Sequence, residues 1–276
     1  MSAAAVGDWS RARRVLCIRL DNMGDVLMSS PAIRALKEAV PGRHIALLTS
    51  PSGAAVAPYL SGVDQFLVYD APWVKNDAHS PPAADYAMIE TLRAQSFDAA
   101  VIFTVYSQSA LPAAMMCRLA GIPMVLAHSR ENPYRLVSHW VREGEPMDGG
   151  RHEVQRQLDL VATVGAAARD PRMRMLVPPA DHVSLKAKLK AAGIDPGGGW
   201  IVVHPGATAA SRRYPAERFA AAIGLLGLQA PVLVTGGSSE RALARQVCEA
   251  APAAVNLAGE LALGELAALI EQAGVL

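Results

Sequence analysis

Two short polar turns carry the residues whose types and spacing could do chemistry. The first is Asp21-Asn22-Met23-Gly24-Asp25, which follows the apolar run Val15-Leu16-Cys17-Ile18 and precedes Val26, Leu27, Ile33, Leu36 and Val40 at roughly helical spacing. So brief an apolar run suits a buried parallel strand, and the spacing after the turn suits a helix. In an open α/β sheet such a turn lies at the carboxyl end of a strand, where ligands bind. Gly24 can take a backbone conformation closed to other residues and lets a substrate approach closely. Asp25 begins the helix, where the dipole stabilises a carboxylate, and could accept a proton from a substrate hydroxyl. The same residues equally make an N-cap aspartate and a turn glycine.

The second turn is His204-Pro205-Gly206-Ala207-Thr208, followed by Ser211-Arg212-Arg213-Tyr214-Pro215. Pro215 suits a first helical turn, where its missing N–H costs nothing. Free backbone N–H groups beside Gly206, the Thr208 hydroxyl and two arginines make a site for an anion such as a diphosphate. The turn from Thr235 to Glu240 repeats the theme with small residues, and Glu240 could accept hydrogen bonds from ribose hydroxyls. Neither turn is G-x-G-x-x-G, so a nicotinamide dinucleotide site is not supported. No Asp-x-Asp pair is present to hold a divalent metal.

The elements that must position these turns alternate along the chain. Strands are expected at His44–Thr49, Gln65–Tyr69, Ala99–Thr104 and Met124–Ala127, with helices at Gly53–Leu60, Asp85–Gln95 and Ala110–Leu119. The alternation implies a doubly wound parallel sheet. Asp70 to Ala84, with Trp73 and Lys75, reads as a surface loop. From His128 to Gly150 the pattern lapses into an irregular segment that gathers Arg130, Arg135, His139 and Arg142. A helix from His152 to Val164 precedes a boundary marked by Pro171, Pro178 and Pro179. A second α/β domain follows, with strands at Trp200–Val203, Val232–Thr235 and Val255–Leu257 and helices at Val183–Ala192, Ala216–Leu226, Glu240–Ala250 and Leu263–Ala273. Gly274-Val275-Leu276 reads as the start of a further strand.

At 276 residues the chain suits one large or two ordinary domains. Hydrophobic residues are 51% and charged residues 18%, enough apolar content for sizeable cores. A formal net charge of +1 gives no nucleic-acid footprint. Cys17, Cys117 and Cys248 lie far apart in apolar segments, so neither a disulfide framework nor a zinc site is indicated, and a reducing cytoplasm fits. No run reaches the ~18 apolar residues of a membrane span.

Five segments in order, DNMGDVLMSSPAIRALKEAVPG, HEVQRQLDLVATVG, HPGATAASRRYPAERFAAAI, VLVTGGSSE and NLAGELALGELAALI, resemble the bacterial family 9 glycosyltransferases. The best-known members of that family are the ADP-heptose:lipopolysaccharide heptosyltransferases. The resemblance implies a GT-B-like α/β architecture of two Rossmann-like doubly wound domains. The acceptor would be bound by residues 1–178 and the nucleotide-sugar donor by residues 179–276, with closure between them excluding water. It implies inverting transfer of a heptose or related sugar from an ADP-sugar to a lipopolysaccharide core acceptor, with no metal and no cofactor. Asp25 matches the family's catalytic base, with Met23 and Gly24 in the active-site loop. Gly206, Thr208 and Arg212 fall where the donor diphosphate binds, although the family often has lysine in place of Arg212. Glu240 matches a position near the ribose and Leu261 one near the adenine. With the arginine-rich segment, the resemblance points to Arg118, Arg130 and Arg135 as contacts for an anionic glycolipid at the inner face of the cytoplasmic membrane.

The family's aspartate-threonine-glycine and following histidine belong past Leu276, so the second domain is expected to be incomplete and the chain a poor or inactive enzyme. The alternatives are a non-catalytic nucleotide-sugar-binding fragment and a family 9 transferase with a different sugar donor. An epimerase or dehydrogenase would want G-x-G-x-x-G and Tyr-x-x-x-Lys, and the chain has neither.

Overall fold

The computed structural model describes residues 7–74, 80–144, 150–197, 199–207, 209–225 and 230–276. They fall into two compact units, one ending at Leu176 and the other beginning at Val177.

The sheet of the first unit contains β1 (Arg14–Arg19), β2 (His44–Thr49), β3 (Gln65–Val68), β4 (Ala99–Ile102), β5 (Met124–Ser129) and β6 (His139–Arg142). All pairings are parallel and the order is β3-β2-β1-β4-β5-β6. The chain starts in the middle, winds outward to β3, then returns to β4 on the other side of β1. That reversal between β1 and β4 opens a crevice at their carboxyl ends. Strands β1, β4 and β5 are buried almost throughout, which explains their uninterrupted apolar runs.

Two expectations for this unit need correction. The irregular reading of residues 128–150 omits β6, whose side chains alternate between half-buried and exposed. It is an edge strand, and its polar residues, His139 on the half-buried face and Arg142 on the exposed one, break the apolar run that a search would follow. The helix expected over Gly53–Leu60 is a short α2 (Pro51–Ala54) and a separate 3₁₀ turn at Ala57–Tyr59. Pro58, lacking an N–H, cannot continue a helical ladder.

Helix α1 (Met23–Ala39) follows the first polar turn and contains Pro31. Proline cannot donate to the Leu27 carbonyl four residues back, and the Ser30 hydroxyl donates to that oxygen instead, at 2.7 Å. The buried stretch Ser29-Ser30-Pro31-Ala32 is small. Helix α1 packs against α5 (Glu153–Ala162), and this packing carries Glu153 to the end of β1. Helices α3 (Pro82–Ala94) and α4 (Leu111–Leu119) complete the unit. Trp73, expected in a surface loop, packs on the core; Lys75 lies outside the described residues.

The second unit runs α6 (Pro179–Ala191), β7 (Ile201–Val203), α7 (Ala216–Leu225), β8 (Val232–Val234), α8 (Arg241–Ala250), β9 (Ala254–Asn256) and α9 (Leu263–Glu271). Its parallel strands are ordered β7-β8-β9. Val275 makes a parallel bridge to Ile201, and its carbonyl accepts the Val202 N–H at 2.9 Å. The fully buried Trp200 anchors the core, donating from Nε1 to the Leu269 carbonyl at 3.0 Å.

Candidate active site

Arg19, the last residue of β1, is completely buried. A buried guanidinium is stable only if charged partners surround it, and here there are three. Its Nε lies 2.8 Å from Asp21 Oδ2, its Nη2 3.2 Å from Asp25 Oδ1, and its Nη1 3.2 Å from Glu153 Oε1. Asp25 is the third residue of α1, and its other oxygen accepts the Asn22 N–H at 3.3 Å, closing a capping box. The proposed base therefore has a fixed orientation and a partly exposed side chain, 19% accessible. Gly24 lies in the first helical turn without a positive φ, so the special conformation expected of it is not used. A Cβ there would meet nothing within 4 Å, which leaves open space beside Asp25.

The charge network continues away from Asp25. Glu153 Oε1 also takes Arg156 Nη1 at 3.3 Å and Gln157 Nε2 at 2.5 Å. Arg156 grips Glu143 with two bonds, at 2.5 and 2.7 Å, and donates to the Thr104 carbonyl. Two guanidiniums thus face four carboxylates across the carboxyl edge from β1 to β6. Burial pushes the Asp21 carboxyl up despite Arg19, with Asp25 and Glu153 adding to the effect. Burial also disfavours the charged form of Glu143, yet hydrogen bonds and charge from Arg156 hold it below the ordinary carboxylate range.

His128, at the end of β5, is 5% exposed. Its Nε2 lies 3.2 Å from the Arg156 carbonyl, and its Nδ1 has no hydrogen-bond partner among the described residues. Burial, then the neighbouring Arg156, depresses its pKa below 6.5. The unfolded chain therefore binds the proton more readily, and the stability from neutral His128 is full above about pH 6.5 and lost as pH falls. Wild-type protein is expected to lose thermal stability between about pH 7 and 5 more steeply than His128→Gln, whose amide can still donate to the Arg156 carbonyl. Asp21, with its raised pKa, works in the opposite direction, but it is common to both proteins. Identical pH slopes in the two melting series would show that His128 does not titrate with folding.

Among the described residues, three cavities lie along this edge. One of about 340 Å³ sits at the β1/β4 crevice and is lined by Asp21, Trp73, Thr104, Ser107, Gln108 and Ser109 above an apolar floor that includes Ile18 and Ile102. The second, about 330 Å³, shares Gln108 and Ser109 and adds His128, Arg130 and Glu143. The third, about 470 Å³, lies over Arg142, Arg151 and Arg156. Arg130 lines the second cavity and stacks over the Tyr106 ring, 4.8 Å from its centroid. Arg118 ends α4, a helix that starts at the carboxyl edge and runs back, so it stands at the opposite end of the sheet. Arg135 lies on the return from β5 to β6, between the two edges. The arginines grouped in sequence thus do not form one patch, and of the three only Arg130 lines a cavity at this edge.

In the second unit the two glycine turns meet at Glu240. A Cβ on Gly206 would overlap Glu240 Oε1, so a larger residue there would have to displace that carboxylate. Glu240 Oε2 accepts the Gly237 N–H at 2.7 Å and lies 4.0 Å from His204 Nε2. The carboxylate expected to meet a ribose is thus partly engaged in joining the turns. Arg213 Nε donates to the Ala207 carbonyl at 2.7 Å, whereas Arg212 is exposed and its side chain has no partner among the described residues. That leaves Arg212 available for an anion. Leu261 packs partly buried against the Trp200 core. Thr208 lies outside the described residues.

Arg19, Asp21, Gln108, Glu153 and Arg156 were not singled out by motif spacing. The available signal was a charged residue ending an apolar strand, Arg19 after Ile18, which in a buried parallel strand demands a partner elsewhere in the chain. Among the described residues, no three His, Cys, Asp or Glu side chains are arranged to hold a metal ion, and no helix is long and apolar enough to cross a membrane.

Residues 86–276 match the family described as glycosyltransferase family 9 (heptosyltransferase). No protein of curated function matches the sequence. Similar solved structures include the glycosyl transferase family 9 protein of Veillonella parvula DSM 2008, with 17% identity, a TM-score of 0.75, and 95% of this chain and 74% of that one covered. E. coli ADP-heptose lps heptosyltransferase II follows at 17% identity and TM-score 0.73, covering 95% and 78%. E. coli heptosyltransferase WaaC with ADP-2-deoxy-2-fluoro heptose has 20% identity and TM-score 0.67, covering 95% and 81%.

Proposed function

Because the chain belongs to glycosyltransferase family 9, we propose that it moves a heptose or related sugar, with inversion and without a metal ion, from an ADP-sugar to a lipopolysaccharide core acceptor. The fold is the α/β, GT-B-like fold of family 9 transferases, and the chain is a glycosyltransferase. In this reading the first unit binds the acceptor and the second binds the donor. The observation that carries it is Asp25, a partly exposed carboxylate fixed by Arg19 and the Asn22 N–H beside open space at the carboxyl edge of β1.

The chemistry asks for one base and one pocket for a departing diphosphate. Asp25 takes the proton from the attacking hydroxyl. Backbone N–H groups near Gly206, with Arg212 and Thr208, stabilise charge on the leaving group, a preorganised electrostatic role. Metal independence follows in this reading because Arg212 and the backbone N–H groups, rather than a cation held by an Asp-x-Asp pair, would neutralise the leaving diphosphate. The three free cysteines suit a reducing compartment, and Arg130 offers a contact for an acidic glycolipid, so we place the reaction in the cytoplasm at the inner membrane face.

The reading is tested by acceptor-dependent release of ADP from ADP-heptose in the presence of lipopolysaccharide core; ADP release indifferent to acceptor would reject it. Arg212→Ala is expected to weaken ADP binding about 10- to 150-fold in calorimetry, as for a lost charge-assisted hydrogen bond of about 1.5–3 kcal/mol. Unchanged affinity in Arg212→Ala, with a loss in Arg213→Ala, would move the phosphate contact to Arg213.

A further inference from the structure

Resting on the acceptor role proposed for the first unit, we infer that the cavity of about 340 Å³ at the β1/β4 crevice is a subsite for an uncharged sugar ring, whose hydroxyls meet Asp21 and Gln108 and whose face lies against Trp73. Its chemistry differs from that of the arginine-bearing cavities beside it. Asp21 is the one ionisable side chain lining it among the described residues.

Asp21 is almost completely buried, 7% exposed, and its position is fixed from two sides. One oxygen accepts from Gln108 Nε2 and the other lies 2.8 Å from Arg19 Nε. Each carboxylate oxygen retains a further lone pair, and the Gln108 amide retains a second N–H. Together they offer an acceptor and a donor to adjacent hydroxyls, with Thr104, Ser107 and Ser109 supplying further hydroxyl partners. The apolar floor suits the C–H face of a ring. Trp73 supplies a flat wall, and its ring centroid lies 5.8 Å from that of Tyr69. Tyr69 is itself pinned, donating from its hydroxyl to Asp85 at 2.7 Å.

The same arrangement rejects an acidic ring. A carboxylate or phosphate entering here would face Asp21 with no lining cation among the described residues to offset it, because Arg19 is wholly buried and already shared among three carboxylates. Like charges brought together in a partly desolvated site repel strongly. The adjoining cavity, which shares Gln108 and Ser109, does present Arg130. An acceptor with a neutral ring in the first cavity and an acidic substituent one ring away fits both. Asp21 would thus select the acceptor, while Asp25, on another nitrogen of the same guanidinium, takes its proton.

The test uses the full chain and a matched pair of probes, methyl α-D-glucoside and methyl α-D-glucuronide, which differ only in the carboxylate. The readout is the NMR signal of the Trp73 indole N–H, identified by its loss in Trp73→Phe. Wild type is expected to bind the glucoside at least about tenfold more tightly than the glucuronide. Asp21→Asn, which keeps the shape and the Arg19 contact, is expected to bring the two within about threefold by admitting the glucuronide. Trp73→Ala, at a residue that lines the same cavity but is not among the ion-pair partners of Arg19, is expected to lose glucoside binding, detected in the sugar's own relaxation. Equal binding of both sugars by wild type, no response of Trp73 to either, or discrimination surviving in Asp21→Asn would overturn the proposal. ADP titrated into the same samples separates the two levels. If ADP binds while the sugars behave otherwise than expected, the subsite alone is wrong; if ADP fails to bind, the transferase reading fails with it.

Discussion

Arg19→Met is expected to lower the stability of the first unit by about 3–5 kcal/mol, the usual cost of removing one partner from a buried ion pair. Methionine roughly fills the space of the arginine stem, so the loss would come from charge rather than from a cavity. Asp21 and Glu153 would then face each other and Asp25 without the guanidinium that lies within 3.2 Å of all three. Arg19→Lys should fall between, since an ammonium is a point charge and cannot span three carboxylates as a planar fork does. Hydrogen exchange at the β1 and β4 amides gives a readout confined to this unit. Wild-type protection in the methionine variant would mean that these carboxylates tolerate each other without the cation, and the account of the network would fall.

Asp25→Asn is expected to reduce transfer by about 10²–10⁴-fold while leaving ADP affinity nearly unchanged, because the carboxylate acts on the acceptor hydroxyl. The variant should fold. An asparagine oxygen can still accept the Asn22 N–H, and Arg19 keeps Asp21 and Glu153 as partners. Lowering the number of carboxylates around Arg19 even relieves part of their mutual repulsion. Transfer within a fewfold of wild type, measured by acceptor-dependent ADP release, would remove Asp25 from the mechanism. A loss of activity together with a loss of folding would be resolved by the melting curve of the same preparation.

Much of the fold was legible because its signals are local. The run Val15-Leu16-Cys17-Ile18 reads as a strand since a parallel strand buried on both faces has no polar side to interrupt it. Asp25 was legible for the same reason, since a cap is written within three residues of the backbone it satisfies. Strand β6 was not, because at the sheet edge no position is fully buried, and His139 and Arg142, one on each face, break the apolar run. Gly206 was legible as a turn glycine, but the Glu240 carboxylate that lies against it, and that a larger residue would displace, belongs to a pairing of two turns that spacing does not encode.

The site itself was decided by packing. Arg19 and Glu153 are 134 residues apart, and nothing in either segment names the other. They meet because α1, which follows β1, packs against α5, which begins at Glu153. Likewise Asp21 and Asp25 are two similar carboxylates in one loop by sequence. Only the tertiary structure buries the first in a cavity with Gln108 and leaves the second partly open at a helix start. The sequence by itself determined which residues can hold charge and where the chain turns. Which charges share a partner, and which of them reach solvent, was decided by how the helices cover the sheet, since burial and pairing are properties of neighbours in space.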